Sequence, residues 1–222
     1  INKLIAELLQ ELPRAQYVGY TATPFANVFI SPDDSEDLFP KDFLVSLQPS
    51  SQYMGGRYFH DLWGIDATKK GDPAHSNEAA FVRDLTADGD QDPAAEEQEI
   101  LEAIDAFVLT GAIKKWRESQ DERFGFRHHT MLVHESVRTT EHSELAARFR
   151  TVWSQGAYSS PAGLARLRAL YESDFLRVHD SREAWADLPL PGSFDVLKPY
   201  VGAAVDEITV DNDPVVVVNS DL

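Results

Sequence analysis

The chain has 222 residues, 43% of them hydrophobic, and a formal net charge of −17. That is enough apolar material for one large domain or two small ones, and too much for wholesale disorder. It has no cysteine, which excludes disulfides, a thiolate nucleophile and Cys-ligated zinc and fits a cytoplasmic location. No apolar run reaches the ~20 residues that span a bilayer, and the acidic balance argues against this chain being a strong DNA binder by itself.

Ile1, Leu4, Ile5, Leu8, Leu9 and Leu12 recur at helical spacing, and Pro13 ends that helix. Gln16 to Tyr20 is short, apolar and aromatic, as a buried strand is. Thr21-Ala22-Thr23-Pro24 then closes the strand in a hydroxyl-rich turn, because Pro24 lacks an N–H and pushes Thr23 towards extended backbone. Residues 31 to 42 are polar and acidic, Phe43 to Leu47 is strand-like, and Gln48 to Gly56 is a loop. Asp66 to Pro93, rich in Gly, Asp, Pro, Asn and Ser, reads as an extended linker that Phe81, Val82 and Leu85 tether to a core.

Glu96 to Glu118 carries the strongest helix pattern. Its acids sit in the first turns, Lys114, Lys115 and Arg117 near the end, and Ile100, Ile104, Phe107, Val108 and Ala112 form one stripe. Thr130 to His134 reads as a strand. A helix from about Glu141 to Ser154 follows, closed by Gly156, with Leu145, Phe149, Val152 and Trp153 as its apolar face. Ser160-Pro161 is an N-cap and N1 pair for a helix striped by Leu164, Leu167, Tyr171 and Phe175. A short helix is expected after Ser181, with Trp185 facing in, and another after Ser193. Ile208 to Val210 and Val215 to Val218 read as strands, the last apolar on every residue as in a strand covered on both faces. Because the chain begins within a helical pattern and stops just after such a run, a fragment of something longer is expected.

Tyr17-Val-Gly-Tyr-Thr-Ala-Thr-Pro24 resembles motif III of superfamily-two helicases, and the following Phe25-Ala-Asn-Val-Phe29 is similar to a narrower family, the Z-one domain proteins. Asp37-Leu-Phe-Pro-Lys-Asp-Phe43, Leu101-x-Ala-Ile-x-x-Phe107 and Thr130-Met-Leu-Val-His-Glu-Ser136 carry the same resemblance. Those proteins are large and prokaryotic, pair a helicase-like ATPase with the Z-one region, and are linked to restriction or anti-phage defence as putative endonucleases.

The resemblance implies an α/β, RecA-like three-layer fold. Residues 1–30 would close a first RecA-like domain, 31–95 form an inserted linker, and 96–222 form the Z-one region as a truncated second RecA-like domain. It implies an interdomain coupling role for Thr21, Ala22, Thr23 and Pro24, and a nucleic-acid contact at Ser136, Arg138 and Thr139 in the motif IV position. Glu135 and Glu141 in that turn oppose a phosphate contact. The parent protein would bind ATP and Mg²⁺, move on DNA and meet a defence-system protein partner.

The residues bound those expectations. A phosphate-binding loop needs Gly-x-x-x-x-Gly-Lys-Ser/Thr, and the chain has none. A restriction-type nuclease needs a carboxylate followed by Asp/Glu-x-Lys to hold Mg²⁺; Pro32-Asp33 matches the first half, and the second does not occur. His128, His129, His134 and His142 lack the spacing of a metal site, and adjacent His128 and His129 would point to opposite sides of a strand. The chain alone is therefore expected to hydrolyse no ATP. The competing reading is a helicase-like fold turned interaction scaffold, its acidic face meeting a basic partner.

Overall fold

A computed structural model describes residues 2–12, 14–23, 42–89, 91–134, 139–182, 187–209 and 213–218. The chain divides into two compact units, Ile1–Tyr53 and Met54–Leu222.

In the first unit, α1 (Asn2–Glu11) forms where the leucine spacing predicts a helix. Its stripe is open to solvent, with Leu4 68% and Leu8 58% exposed. Gln16 to Tyr20 and Phe43 to Leu47 are exposed and irregular, and among the described residues neither pairs with a strand.

The second unit is helical. Its first part carries α2 (Gly56–Phe59), a single 3-10 turn at Ala67–Lys69, and α3 (Asn77–Phe81). Residues expected to form an extended linker are thus partly wound, because Asp66 and Ser76 each cap the turn that follows them. Arg182 fixes this region to the helical body. Its guanidinium donates to the carbonyls of Pro73 (2.5 Å) and Ser76 (2.6 Å) and to Asn77 Oδ1 (2.9 Å), and it lies over the Phe81 ring.

The centre of the unit is α4 (Pro93–Gln120), 28 residues long and so about 42 Å from end to end. Asp92 caps it by accepting from the Ala95 N–H at 3.0 Å, with Pro93 at the first position. Ile104, Val108, Leu109 and Ala112 are at most 2% exposed. They pack against α5 (Thr139–Gly156), α6 (Pro161–Leu170), α8 (Phe194–Leu197) and α9 (Val201–Ile208). Neighbours on several sides give α4 a core position rather than a surface stripe.

The Ser160 hydroxyl accepts from the Gly163 N–H at 3.0 Å and starts α6 as its sequence predicts. A Cβ on Gly163 would stand 2.4 Å from the Ala157 carbonyl oxygen, so this close turn needs glycine there. The helix does not stop at Leu170. It widens into a π-helical turn at Tyr171–Leu176 and continues as α7 (Arg177–Ser181). Tyr171, fully buried, donates its hydroxyl to the Pro191 carbonyl. Ser181 ends this helix, and the helix expected after it, with Trp185, lies outside the described residues. Ser193 precedes α8, but its side chain makes no capping bond.

The α/β, RecA-like fold expected from the sequence is overturned. Among the described residues the protein is all-helical with essentially no strands. Thr130 to His134 and Val215 to Val218 are extended and mostly exposed, with Leu132 90% and Val216 82% open to solvent. Ile208 closes α9 instead of opening a strand. β-Branched and aromatic runs fit a pleated surface only when a neighbouring strand supplies that surface. Here the long helix α4 takes the central place that a sheet would occupy.

Candidate functional site

The first candidate is the Thr21-Ala22-Thr23 segment. All three residues are exposed. The Thr23 N–H donates to Thr21 Oγ1 at 3.0 Å, a hydroxyl turn closed two residues on. The acceptor side of the Thr21 hydroxyl is thus engaged within the turn, and its O–H remains to donate outward. Pro24 lies outside the described residues, as do Ser136 and Arg138. Thr139 is the first residue of α5, and only its backbone is described. The structure therefore brings together Thr21 and Thr23, and no motif IV contact is described.

The second candidate is a cleft of about 930 Å³ in the helical unit. One wall is α4 and α5, through Ile104, Phe107, Leu145, Phe149 and Trp153; the other is formed by the extended stretches 127–134 and 214–218. The 127–134 stretch is pinned at two points, and a third holds Phe126 just before it. Glu118 accepts from the Phe126 N–H at 2.9 Å, Lys114 Nζ donates to the His128 carbonyl at 3.1 Å, and His129 bonds the Phe107 carbonyl at 2.7 Å. The 214–218 stretch is held by Arg150, whose guanidinium grips the Asp213 carboxylate at 2.8 to 3.0 Å and donates to the Val215 carbonyl at 3.1 Å.

The histidines part as the alternation along an extended segment predicts. His129 turns inward onto α4 while His128 is exposed. Burial lowers the His129 pKa, and Lys114 and Lys115 act in the same direction against Phe107 and Glu207. Glu207, on the cleft wall, is held by Lys115 at 2.7 Å. The walls are mainly apolar, with Arg127, His128, His134, His142 and Glu207 among the polar members of the lining.

Sequence reasoning missed the polar centre of the helical unit. Asp105, 1% exposed, faces Arg166, whose Nε donates at 2.5 Å and whose second nitrogen donates at 3.1 Å. That same nitrogen reaches the Gly156 carbonyl at 2.8 Å. The only sequence signal is a carboxylate directly beside Ile104 in an apolar stripe.

Among the described residues no three His, Cys, Asp or Glu side chains are grouped to hold a metal. With no phosphate-binding loop in the sequence, the chain's residues do not fit ATP and Mg²⁺. No helix among the described residues is long and apolar enough to cross a membrane.

Compared with known families, residues 99–222 match the Z1 domain. No curated protein matches the chain. No solved structure matches it either. The match spans α4 to the C-terminal stretch and covers more than half of the chain, including both walls of the cleft. The chain belongs to the Z1 domain family, a domain found in prokaryotic defence-associated proteins.

Proposed function

We propose that this chain is the coupling part of an ATP-dependent nucleic-acid translocase acting in prokaryotic restriction or anti-phage defence. Membership of the Z1 family carries this reading, and the exposed Thr21-Ala22-Thr23 turn supports it. ATP and Mg²⁺ are bound by other parts of the parent protein, and DNA is its track. Thr21 and Thr23 make no bond-forming contribution. Their hydroxyls exchange hydrogen bonds as the motor changes nucleotide state, linking that state to the grip on DNA.

A second reading has its own observation. In a chain of net charge −17, Arg83, Arg148, Arg150, Arg166 and Arg168 of the helical unit are already paired with carboxylates. Such a body suits a scaffold that meets a basic protein partner of the defence system.

Steady-state ATP hydrolysis by the full-length parent, with and without DNA, separates the two. The coupling reading expects DNA to stimulate turnover, and a Thr21→Ala/Thr23→Ala variant to keep basal hydrolysis but lose the stimulation. An intact parent without DNA-stimulated turnover overturns it and leaves the scaffold.

A further inference from the structure

Seven cations of the helical body, Arg83, Lys115, Arg123, Arg148, Arg150, Arg166 and Arg168, form ion pairs with carboxylates, while those at the start of the second unit form none among the described residues. Arg57, Lys69 and Lys70 are exposed, and none forms a close ion pair with a carboxylate among the described residues, although the charge of Lys69 reaches Asp72. Within residues 54–72 these three cations balance three carboxylates, Asp61, Asp66 and Asp72, in a chain that is otherwise strongly acidic.

Between the cations stands Trp63, 81% exposed. It sits near the tip of a tight turn in which the Gly64 N–H donates to the Asp61 carbonyl at 3.0 Å, and Gly64 takes the positive φ of 80° that the turn requires. The turn is rigid at its base. Asp61 accepts from the Ser76 hydroxyl at 2.6 Å and from the Asn77 N–H at 2.8 Å, at the start of α3. The guanidinium of Arg57 lies 5.1 Å from the Trp63 ring centroid. Lys69 is six residues from Trp63, no more than ~22 Å along an extended chain, which a few nucleotides cover.

We propose that Arg57, Trp63, Lys69 and Lys70 form a platform for single-stranded nucleic acid. A base stacks on the Trp63–Arg57 pair, and the two lysines meet phosphates on one side of it. An exposed indole held against a guanidinium offers a π-face to any base, which gives binding with little sequence preference. Unpaired cations supply the phosphate contacts. The turn is pre-organised, so little ordering cost opposes binding. This inference rests on the nucleic-acid reading above, but it needs neither ATP nor the Thr21 turn.

The test is fluorescence anisotropy with a labelled twelve-residue oligo-dT and the 222-residue chain, without nucleotide, across a salt series. Binding is expected in the micromolar range typical of non-specific contacts, roughly 10⁻⁴ to 10⁻⁶ M. Trp63→Ala should weaken it about five- to a hundredfold, as expected for one lost stack. Lys69→Ala/Lys70→Ala should lower the slope of log affinity against log salt by about 1.4, while Lys198→Ala leaves affinity and slope unchanged. Trp63 and both lysines are exposed, and circular dichroism checks that each variant keeps its helices. The proposal is overturned by no binding at ~1 mM chain, well above that range, or by affinity unchanged in both platform variants. Displacement of the oligonucleotide by poly-glutamate at equal charge also overturns it and marks a surface for acidic peptides. Loss of DNA-stimulated hydrolysis in the parent with this binding intact would reject the motor and keep the platform.

Discussion

His129 lies flat on Phe107, with ring centroids 4.1 Å apart and planes 9° from parallel. Its Nε2 is 2.7 Å from the carbonyl oxygen of the same residue. A carbonyl can only accept, so Nε2 carries the proton and the neutral imidazole is the Nε2–H tautomer. The contact ties the wall of the cleft to the central helix, and Gly111 makes room for it: a Cβ there would stand 2.9 Å from the imidazole.

Burial holds the His129 pKa below its ordinary 6.5. The unfolded chain therefore takes up this proton at a higher pH than the folded one. The stability contribution is complete above pH ~6.5 and is lost as pH falls from there towards the folded value. Urea unfolding at pH 7.5 and pH 5.5 should show wild type losing stability, and His129→Gln losing less of it. Equal losses would mean that His129 does not set the dependence in this window.

The Tyr158 hydroxyl is buried beside Asp105 and Arg166 and makes no hydrogen bond of normal geometry to either. Its pKa is raised, first by burial and then by the charge of Asp105. Removing an unsatisfied hydroxyl costs nothing in lost bonds, so Tyr158→Phe should leave stability unchanged or raise it by up to ~1 kcal/mol. Asp105→Asn is the contrast. It strips Arg166 of its charge partner beside a buried position and should cost about 2 kcal/mol or more, less than a fully buried pair because Arg166 keeps partial access to water. Thermal unfolding of both variants checks the ordering.

Arg182 spreads its guanidinium over Pro73, Ser76 and Asn77. A lysine is a point charge and cannot reproduce that planar, three-way grip. In Arg182→Lys, amide hydrogen exchange should quicken across Ser76–Phe81 while the core of α4 keeps its protection. Unchanged exchange at α3 would show that Asp61 alone holds the segment.

What the sequence revealed follows from how local each signal is. The acids from Glu96 and the basic residues near its end mark α4, because dipole effects act within a turn, whereas its start at the Asp92-Pro93 cap falls in the stretch that composition assigns to a linker. Ser160-Pro161 marks α6 because a cap is equally local. The runs Thr130–His134 and Val215–Val218 have strand composition, yet composition does not supply a partner edge, and the expected sheet was a non-local inference. The stripe Leu164, Leu167, Tyr171 and Phe175 marks this helix as far as the π turn, but the turn itself and the continuation to Ser181 escaped, since a π turn leaves no composition signal. The hydroxyl turn at Thr21 and Thr23 was legible because its contact spans only two residues. The Asp105–Arg166 pair spans 61 residues, and the carboxylate beside Ile104 does not by itself point to its partner.

The link from α5 to α6 gives a last prediction. Helix α5 ends at Gly156, yet it is the next residue, Ala157, that takes the left-handed conformation, with φ of 46°. Its carbonyl accepts from the Ser160 N–H at 2.8 Å, so the conformation is fixed by the turn that caps α6. An L-residue pays roughly 1–2 kcal/mol for left-handed backbone. Glycine avoids that cost but loses about 0.4–1 kcal/mol through the greater freedom of the unfolded chain. The Ala157 methyl is exposed and contributes little packing. The strain relief is the larger effect, so Ala157→Gly should stabilise the chain by roughly 0.5–1 kcal/mol. Urea unfolding at pH 7.5 measures it, and a destabilised variant would show that the turn holds Ala157 without strain.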